Sequence, residues 1–196
     1  MAVLQTFIFI GRSGSGKGTQ AELLIKHFTE RGEPVFYVET GKHIRQWLAT
    51  ASYSSQLANE ISLAGNRQPE FLADYMWAGL LLNQFQGIEH LIFDGTPRSL
   101  IQAETLDTAM IFYRRELVYV IALHVPHACA TERLTKRGRS DDDDFGIQKR
   151  LTWYEKDVVL ALDYYRDHSR YRLVEIDGER PVEMVHADIL VQCDQA

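Results

Sequence analysis

Residues 4–21, L-Q-T-F-I-F-I-G-R-S-G-S-G-K-G-T-Q-A, constrain this chain more than any other stretch, because they join an apolar run, a glycine-rich turn and a helix start in that order. Phe7, Ile8, Phe9 and Ile10 are aromatic or β-branched with no polar alternation, the pattern of a parallel strand covered on both faces. Glycines in the turn let backbone N–H groups approach a ligand with no Cβ in the way. The helix that follows points its free amides and positive dipole end at the same place, so the turn is an anion cradle. Gly11, Gly16 and Lys17 keep the spacing of a phosphate-binding P-loop, in which the lysine reaches the outer phosphates and a following hydroxyl helps hold Mg²⁺. That hydroxyl is displaced here: Gly18 follows the lysine and Thr19 comes one place later.

At 196 residues, 45% hydrophobic and 24% charged, the chain fits a single domain with a sizeable core. A net charge of −6 leaves no broad basic surface, so neither nucleic acid nor a membrane is expected as a partner. A bound nucleotide needs only a local arginine cluster. Cys129 and Cys193 are too few for a disulfide framework and suit a reducing compartment. No apolar run reaches membrane-spanning length and no charged leader precedes the first strand, so a cytoplasmic protein is expected.

The remaining periodicity predicts alternating strands and helices. A helix over 20–28 closes at Arg31-Gly32, and residues 34–38 form a second strand, giving a βαβ unit and hence a parallel sheet. Short helices follow over 42–50, 54–64 and 71–85, interrupted at residues 65–69 by Gly65 and Pro69. Residues 90–93 form a third strand that ends on Asp94, an acid placed beside the P-loop to orient Mg²⁺ and its waters. Then come a strand over 118–124, a helix over 128–136, a polar loop over 138–144, one long helix over 145–165, a strand over 171–176 and a closing helix over 181–192.

Arg98, Arg133, Arg137, Arg139 and Arg150 stand where strands end or where the polar loop lies. Phosphoryl transfer asks a protein mainly to position groups and neutralise moving charge, which planar guanidinium forks do better than lysine.

With the P-loop, T-G-x-x-x-R, D-G-x-P-R-x-x-x-Q and a basic helix before a short loop in view, the chain resembles the adenylate kinases among the nucleoside monophosphate kinases. The resemblance covers almost the whole chain. It implies a three-layer α/β/α P-loop NTPase fold with a five-stranded parallel sheet, a helical monophosphate-binding segment at 40–70 and a very short lid at 137–144. The core would be residues 1–39, 87–136 and 145–196. Gly14, Ser15, Gly16, Lys17, Gly18 and Thr19 are similar to the family's P-loop, whose extra glycine also displaces the hydroxyl. Arg133 and Arg137 look like its arginines over ATP, and Gly178 lies in the loop resembling the one whose backbone meets adenine. Thr40 and Arg45, the backbone of Asn66, Arg67 and Gln68, then Gly95, Thr96, Pro97 and Arg98, with Gln102 at the adenine edge, resemble the AMP site. Arg139 and Arg150 resemble the pair clamping the transferring group. Lys17, Arg98, Arg139 and Arg150 would then be catalytic, and Thr19 and Asp94 would support Mg²⁺, partly through water.

Three departures stand out. Lys42 replaces the acid usual after Thr-Gly, which adds positive charge near the metal and the monophosphate; Thr96 replaces an aromatic residue; and only Gly138 separates Arg137 from Arg139, with no cysteine pair for a zinc-bearing lid. Residues 141–144, four consecutive aspartates, read as a solvated lid or a helix start. The expected activity is MgATP + AMP ⇌ 2 ADP by direct in-line transfer in a monomer. Transfer to UMP, CMP or another monophosphate stays open, as does a nucleotide-binding regulatory module that has lost efficient chemistry.

Overall fold

Residues 3–139, 142–168 and 170–193 are described in the computed structural model, and the apolar runs become strands β1 (Gln5–Gly11), β2 (Val35–Glu39), β3 (His90–Asp94), β4 (Leu117–His124) and β5 (Arg172–Asp177). They form one parallel sheet in the order β2-β3-β1-β4-β5. Strand β1 is central, so its loop opens in the middle of the sheet's carboxyl edge, where the connections diverge and an open α/β sheet takes its ligand.

Side chains along β1 alternate between two apolar layers. Phe7 and Phe9 pack with helices α1 (Lys17–Glu30) and α9 (Val182–Cys193), through Ala21, Leu24, Phe28, Val185 and Ile189. Ile8 and Ile10 face α4 (Glu70–Gln84), α5 (Leu100–Phe112) and α8 (Val159–Asp167), through Trp77, Leu106, Met110 and Leu162. These side chains are at most 5% exposed, and burying each Val, Leu, Ile, Phe or Met among them contributes about 1.5–3 kcal/mol. The three-layer α/β/α fold is therefore the one the sequence implies. Helices α2 (Thr40–Leu48) and α3 (Tyr53–Leu63) lie between β2 and β3 with a small core of their own, in which Ile44, Trp47 and Leu48 pack on Ala58, Leu72 and Met76. Helix α6 (His127–Arg137) ends on Gly138, and α7 (Asp144–Trp153) leads into a π-helical turn, Tyr154–Val158.

Two differences from the sequence reading bear on function. Helix α5 escapes the periodicity, because Ile101, Ile111 and Phe112 are exposed while Ala103, Leu106 and Met110 are buried, which blurs the apolar period. Its start is legible in Ser99-x-x-Gln102: the Ser99 hydroxyl accepts the Gln102 N–H at 3.2 Å, as a capping residue does. The long helix over 145–165 is not uniform either, for Val159 N–H reaches back five residues to Tyr154 O.

Candidate active site

A cleft of about 910 Å³ lies along the carboxyl edge of the sheet, with the P-loop on one side and α2 and residues 62–68 on the other. Gly16 caps α1 in the left-handed region at φ +97°, and a Cβ on Gly14 (φ +84°) would stand 2.7 Å from Ala130 O. The loop therefore reaches its shape only with glycine there. Ser15 Oγ is buried and has no hydrogen-bond partner among the described residues. A phosphate oxygen would supply one. Lys17 Nζ donates to Gly11 O and Arg12 O, both at 2.7 Å. Burial holds its ammonium down to about 8; Asp94 opposes that shift, while Arg98 and Arg137 add to it. The loop carrying Gly178 also sits tightly: Gly178 N–H donates to His124 O at 2.8 Å, and a Cβ there would lie 2.9 Å from Val125 Cγ1 and 3.2 Å from Ser15 O.

Asp94 ends β3 opposite Phe9 of β1 and Glu39 of β2. A Cβ on Gly18 would come within 3.3 Å of Asp94 Oδ2, so the glycine keeps the space between carboxylate and helix open. Tyr37 O–H donates to the same oxygen at 3.5 Å, and burial followed by the Asp94 charge raises its pKa. Thr19, Glu22 and Glu39 also line the cleft. This all-oxygen donor set fits Mg²⁺, which takes one or two carboxylates, substrate phosphates and its own waters. Lys42 is exposed and lies outside the cleft lining, contrary to the expectation that it adds charge at the metal.

On the opposite side, the Arg45 and Arg98 guanidinium groups converge, with nitrogens 3.2 and 3.5 Å from where a Cβ on Gly41 would be. Arg98 Nε donates to Gly95 O at 2.9 Å. Burial lowers the Arg98 pKa; Asp94 opposes this, and Arg45, Arg150 and Arg67 reinforce it. Such crowding of like charge is what a phosphate dianion would relieve. Arg45 meanwhile pairs with Glu39 at 3.1 Å. The side chains of Thr40 and Thr96 are buried against each other, hydroxyl to hydroxyl at 3.1 Å, and Pro97 lines a cavity of about 40 Å³ next to the cleft.

Asn66, Arg67 and Gln68 line the cleft as expected, but two of their side chains are engaged within the protein. Gln68 Nε2 donates to Ala58 O and Ser62 Oγ at 2.7 Å. Arg67 donates to Arg98 O and to Glu70, each at 2.8 Å. Gln102 Oε1 accepts the Arg98 N–H at 2.8 Å and its Nε2 donates to Glu70 at 2.6 Å, which leaves one N–H of the amide for a ligand.

Arg133, Arg137, Arg139 and Arg150 all reach the cleft. Asp142 gathers three of them, Arg137, Arg139 and Arg150. Its side chain is fully buried, takes Arg137 bidentately at 2.8 and 2.7 Å, Arg150 Nη2 at 2.6 Å and the Arg139 N–H at 3.1 Å. Burial alone would raise its pKa, but the Arg137 and Arg139 hydrogen bonds and the charges of Arg137 and Arg150 bring the carboxyl below its ordinary value. The solvated-lid reading of residues 141–144 thus fails at Asp142. The helix-start reading holds at Asp143, whose carboxylate caps α7 through Gly146 N–H at 2.6 Å. Ser140 and Asp141, within the expected lid, lie outside the described residues. No motif pointed to Asp142, Glu39 or Glu70, because carboxylates that hold arginines carry no fixed spacing.

The family profile for adenylate kinase matches residues 9–170. An adenylate kinase of Azobacteroides pseudotrichonymphae is 31% identical over 191 residues, which cover 94% of both chains. Adenylate kinase 1 of a Synechocystis species is 32% identical over 192 residues, covering 96% of this chain and 97% of that one. An adenylate kinase of Prochlorococcus marinus is 31% identical over 175 residues, 89% of this chain and 91% of its own.

Proposed function

This chain belongs to the adenylate kinase family, and on that premise we propose that it transfers the γ-phosphoryl group of MgATP to AMP. An oxygen of the AMP phosphate attacks Pγ in line, the bond from Pγ to the β,γ-bridging oxygen breaks, and both products are ADP. The attacking oxygen is already anionic, so no general base is required. Positioning and charge neutralisation carry the rate.

The P-loop amides and Lys17 hold the donor phosphates, with Arg133, Arg137 and the Gly178 loop along the rest of ATP. Asp94, partly through water, and Thr19 would hold Mg²⁺, which neutralises charge on the donor phosphates when bound. Arg45 and Arg98 take the acceptor phosphate. Arg139 and Arg150 stabilise the group in flight, while Gln102 and the backbone of residues 66–68 meet the base. Residues 40–70 act as the acceptor-binding segment and 137–144 as a short lid that excludes water, since water would otherwise take the phosphoryl group. The enzyme works as a monomer in the cytoplasm, a reading supported by a cleft furnished from one chain and by the low cysteine count of two.

One observation carries this reading: the Arg45 and Arg98 guanidinium groups converge above Gly41 in the same cleft as the P-loop. A protein that only hydrolysed ATP would need no second phosphate site. The test mixes protein, ATP, Mg²⁺ and AMP and follows ADP by chromatography. Two ADP per AMP consumed, with none formed when AMP is omitted, is expected; ADP formed at the same rate without AMP would overturn the reading.

A further inference from the structure

The π-helical turn Tyr154–Val158 touches both halves of the cleft. On the donor side, Arg12 of the P-loop lies 4.8 Å over the Tyr154 ring, pairs with Glu155 at 3.3 Å and donates to Val125 O at 2.7 Å. On the acceptor side, Asp157 forms an ion pair with Arg67, its Oδ2 lying 3.2 Å from Arg67 Nε. Arg67 is the more telling partner. Its side chain is 21% exposed, and its other two nitrogens donate to Arg98 O and Glu70, while Glu70 also takes the Gln102 amide. One guanidinium thus ties together the start of α4, the loop carrying Arg98 and the π-turn, which are far apart in sequence. The small cavity lined by Lys17, Arg67, Arg98, Arg150, Tyr154 and Val158 marks the place where these segments meet.

The turn's geometry explains why Asp157 can do this. A π-turn places an extra residue in the helix and rotates the next turn relative to a regular α-helix. Here it keeps Tyr154 and Val158 buried while leaving Glu155 exposed for Arg12 and Asp157 partly buried for Arg67. Arg150 lies one turn earlier, and its carbonyl accepts the Tyr154 N–H. The acceptor arginines and the transfer arginine are therefore referred to one piece of backbone.

We propose that Asp157 is a positioning residue for the acceptor: through Arg67 it fixes the Arg98 loop and the Gln102–Glu70 pair against the helix that carries Arg150. The proposal rests on the reading of this side of the cleft as the AMP site. It predicts an asymmetry that general loss of stability does not. Because the Arg67–Asp157 pair is partly exposed, Asp157→Asn raises the KM for AMP about three- to fivefold, while the KM for ATP stays within about twofold. Asp157→Glu restores most of the AMP affinity. Adding Asp157→Asn to Arg67→Leu brings no further loss, because the two residues act through one contact. An unchanged KM for AMP in Asp157→Asn overturns the proposal, and so does a parallel rise in both KM values with a lowered melting temperature. AMP binding followed by calorimetry without ATP separates this from the assigned reaction. Wild-type protein that binds AMP and makes no ADP refutes the transfer reading, yet weaker AMP binding by Asp157→Asn would still support the role of Asp157.

Discussion

The donor loop and the arginine cluster share one cleft and are built by different means. The donor loop is mainly a backbone device: a few residues, glycines at positive φ and a lysine held on its own loop's carbonyls shape it, with Arg12 as its tie to distant residues. The arginine cluster is a side-chain device. Arg45 rests on Glu39, Arg67 on Glu70 and Asp157, and Arg137 and Arg150 on Asp142. A backbone cradle keeps its shape whatever the charge in it. Guanidinium groups held by carboxylates are positioned by the same charges that compete with substrate, so their partners tune the site where the loop simply forms it.

Removing the lysine tests this contrast most severely. Lys17→Met is expected to lower kcat by roughly 100- to 1,000-fold, the scale of losing one charged or hydrogen-bonding donor at a developing anion. Its fold and AMP binding should be retained, which a melting curve and calorimetry would check. Turnover within tenfold of wild type would mean that the arginines, not the loop, carry the charge on the moving group.

The second prediction uses pH on the same residue. Donor phosphates need the ammonium form, and the free protein holds Lys17 at about 8, below the ordinary 10.5, because the site is withdrawn from water. Below pH 8 the lysine arrives charged; above it, ATP must bring a proton with it. The apparent Kd for ATP should therefore rise above pH 8, approaching about tenfold per pH unit, with proton uptake seen as a buffer-dependent heat in calorimetry. AMP binding on the arginine side should show no such slope, since guanidinium groups stay charged throughout.

Asp142→Asn tests the other half. Losing the carboxylate takes one charged partner from each of Arg137 and Arg150, and kcat should fall about tenfold, or about 1.4 kcal/mol, as expected when a charge-assisted pair is loosened. The pH dependence has the opposite sense to that of Lys17. The Asp142 pKa is lowered, so its contribution is complete above the ordinary carboxylate range and fades only as pH falls through the lowered value. Between pH 6 and 9 the Asp142 cluster of the wild-type protein should be insensitive to pH.

The same contrast explains what could be read in the sequence. Strands β1 to β4 were legible because each holds a continuous apolar run, β5 through its alternation, and the P-loop because its parts are adjacent. Arg45, Arg98 and Arg150 were singled out through motifs that resemble the family's, and all three line the cleft. Their partners were not legible, since Asp157 and Arg67 are separated in sequence by two strands and four α-helices, and Asp142 sits in an acidic run whose composition suggests solvent. Lys42 misled for a related reason. A substitution read against a motif located charge by position, whereas Glu39, three residues earlier and beside Asp94, is one of the acids that line the cleft.

Glu39 gives the smallest and most discriminating test. Its carboxylate sits 3.1 Å from Arg45 with both side chains partly exposed, 24% and 43%, so the pair is worth at most about 1 kcal/mol. In Glu39→Gln, Arg45 no longer leaves a carboxylate to meet the acceptor phosphate, and the KM for AMP should fall about twofold while the KM for ATP is unchanged. If Glu39 instead works with Asp94 on the metal, the substitution leaves AMP alone and raises the Mg²⁺ concentration needed for half-maximal rate. A Mg²⁺ titration at saturating ATP and AMP, beside the AMP titration, separates the two. The first outcome keeps the arginine side as a set of independently tuned pairs; the second makes Glu39 part of the donor side and moves the boundary between the two halves to β2.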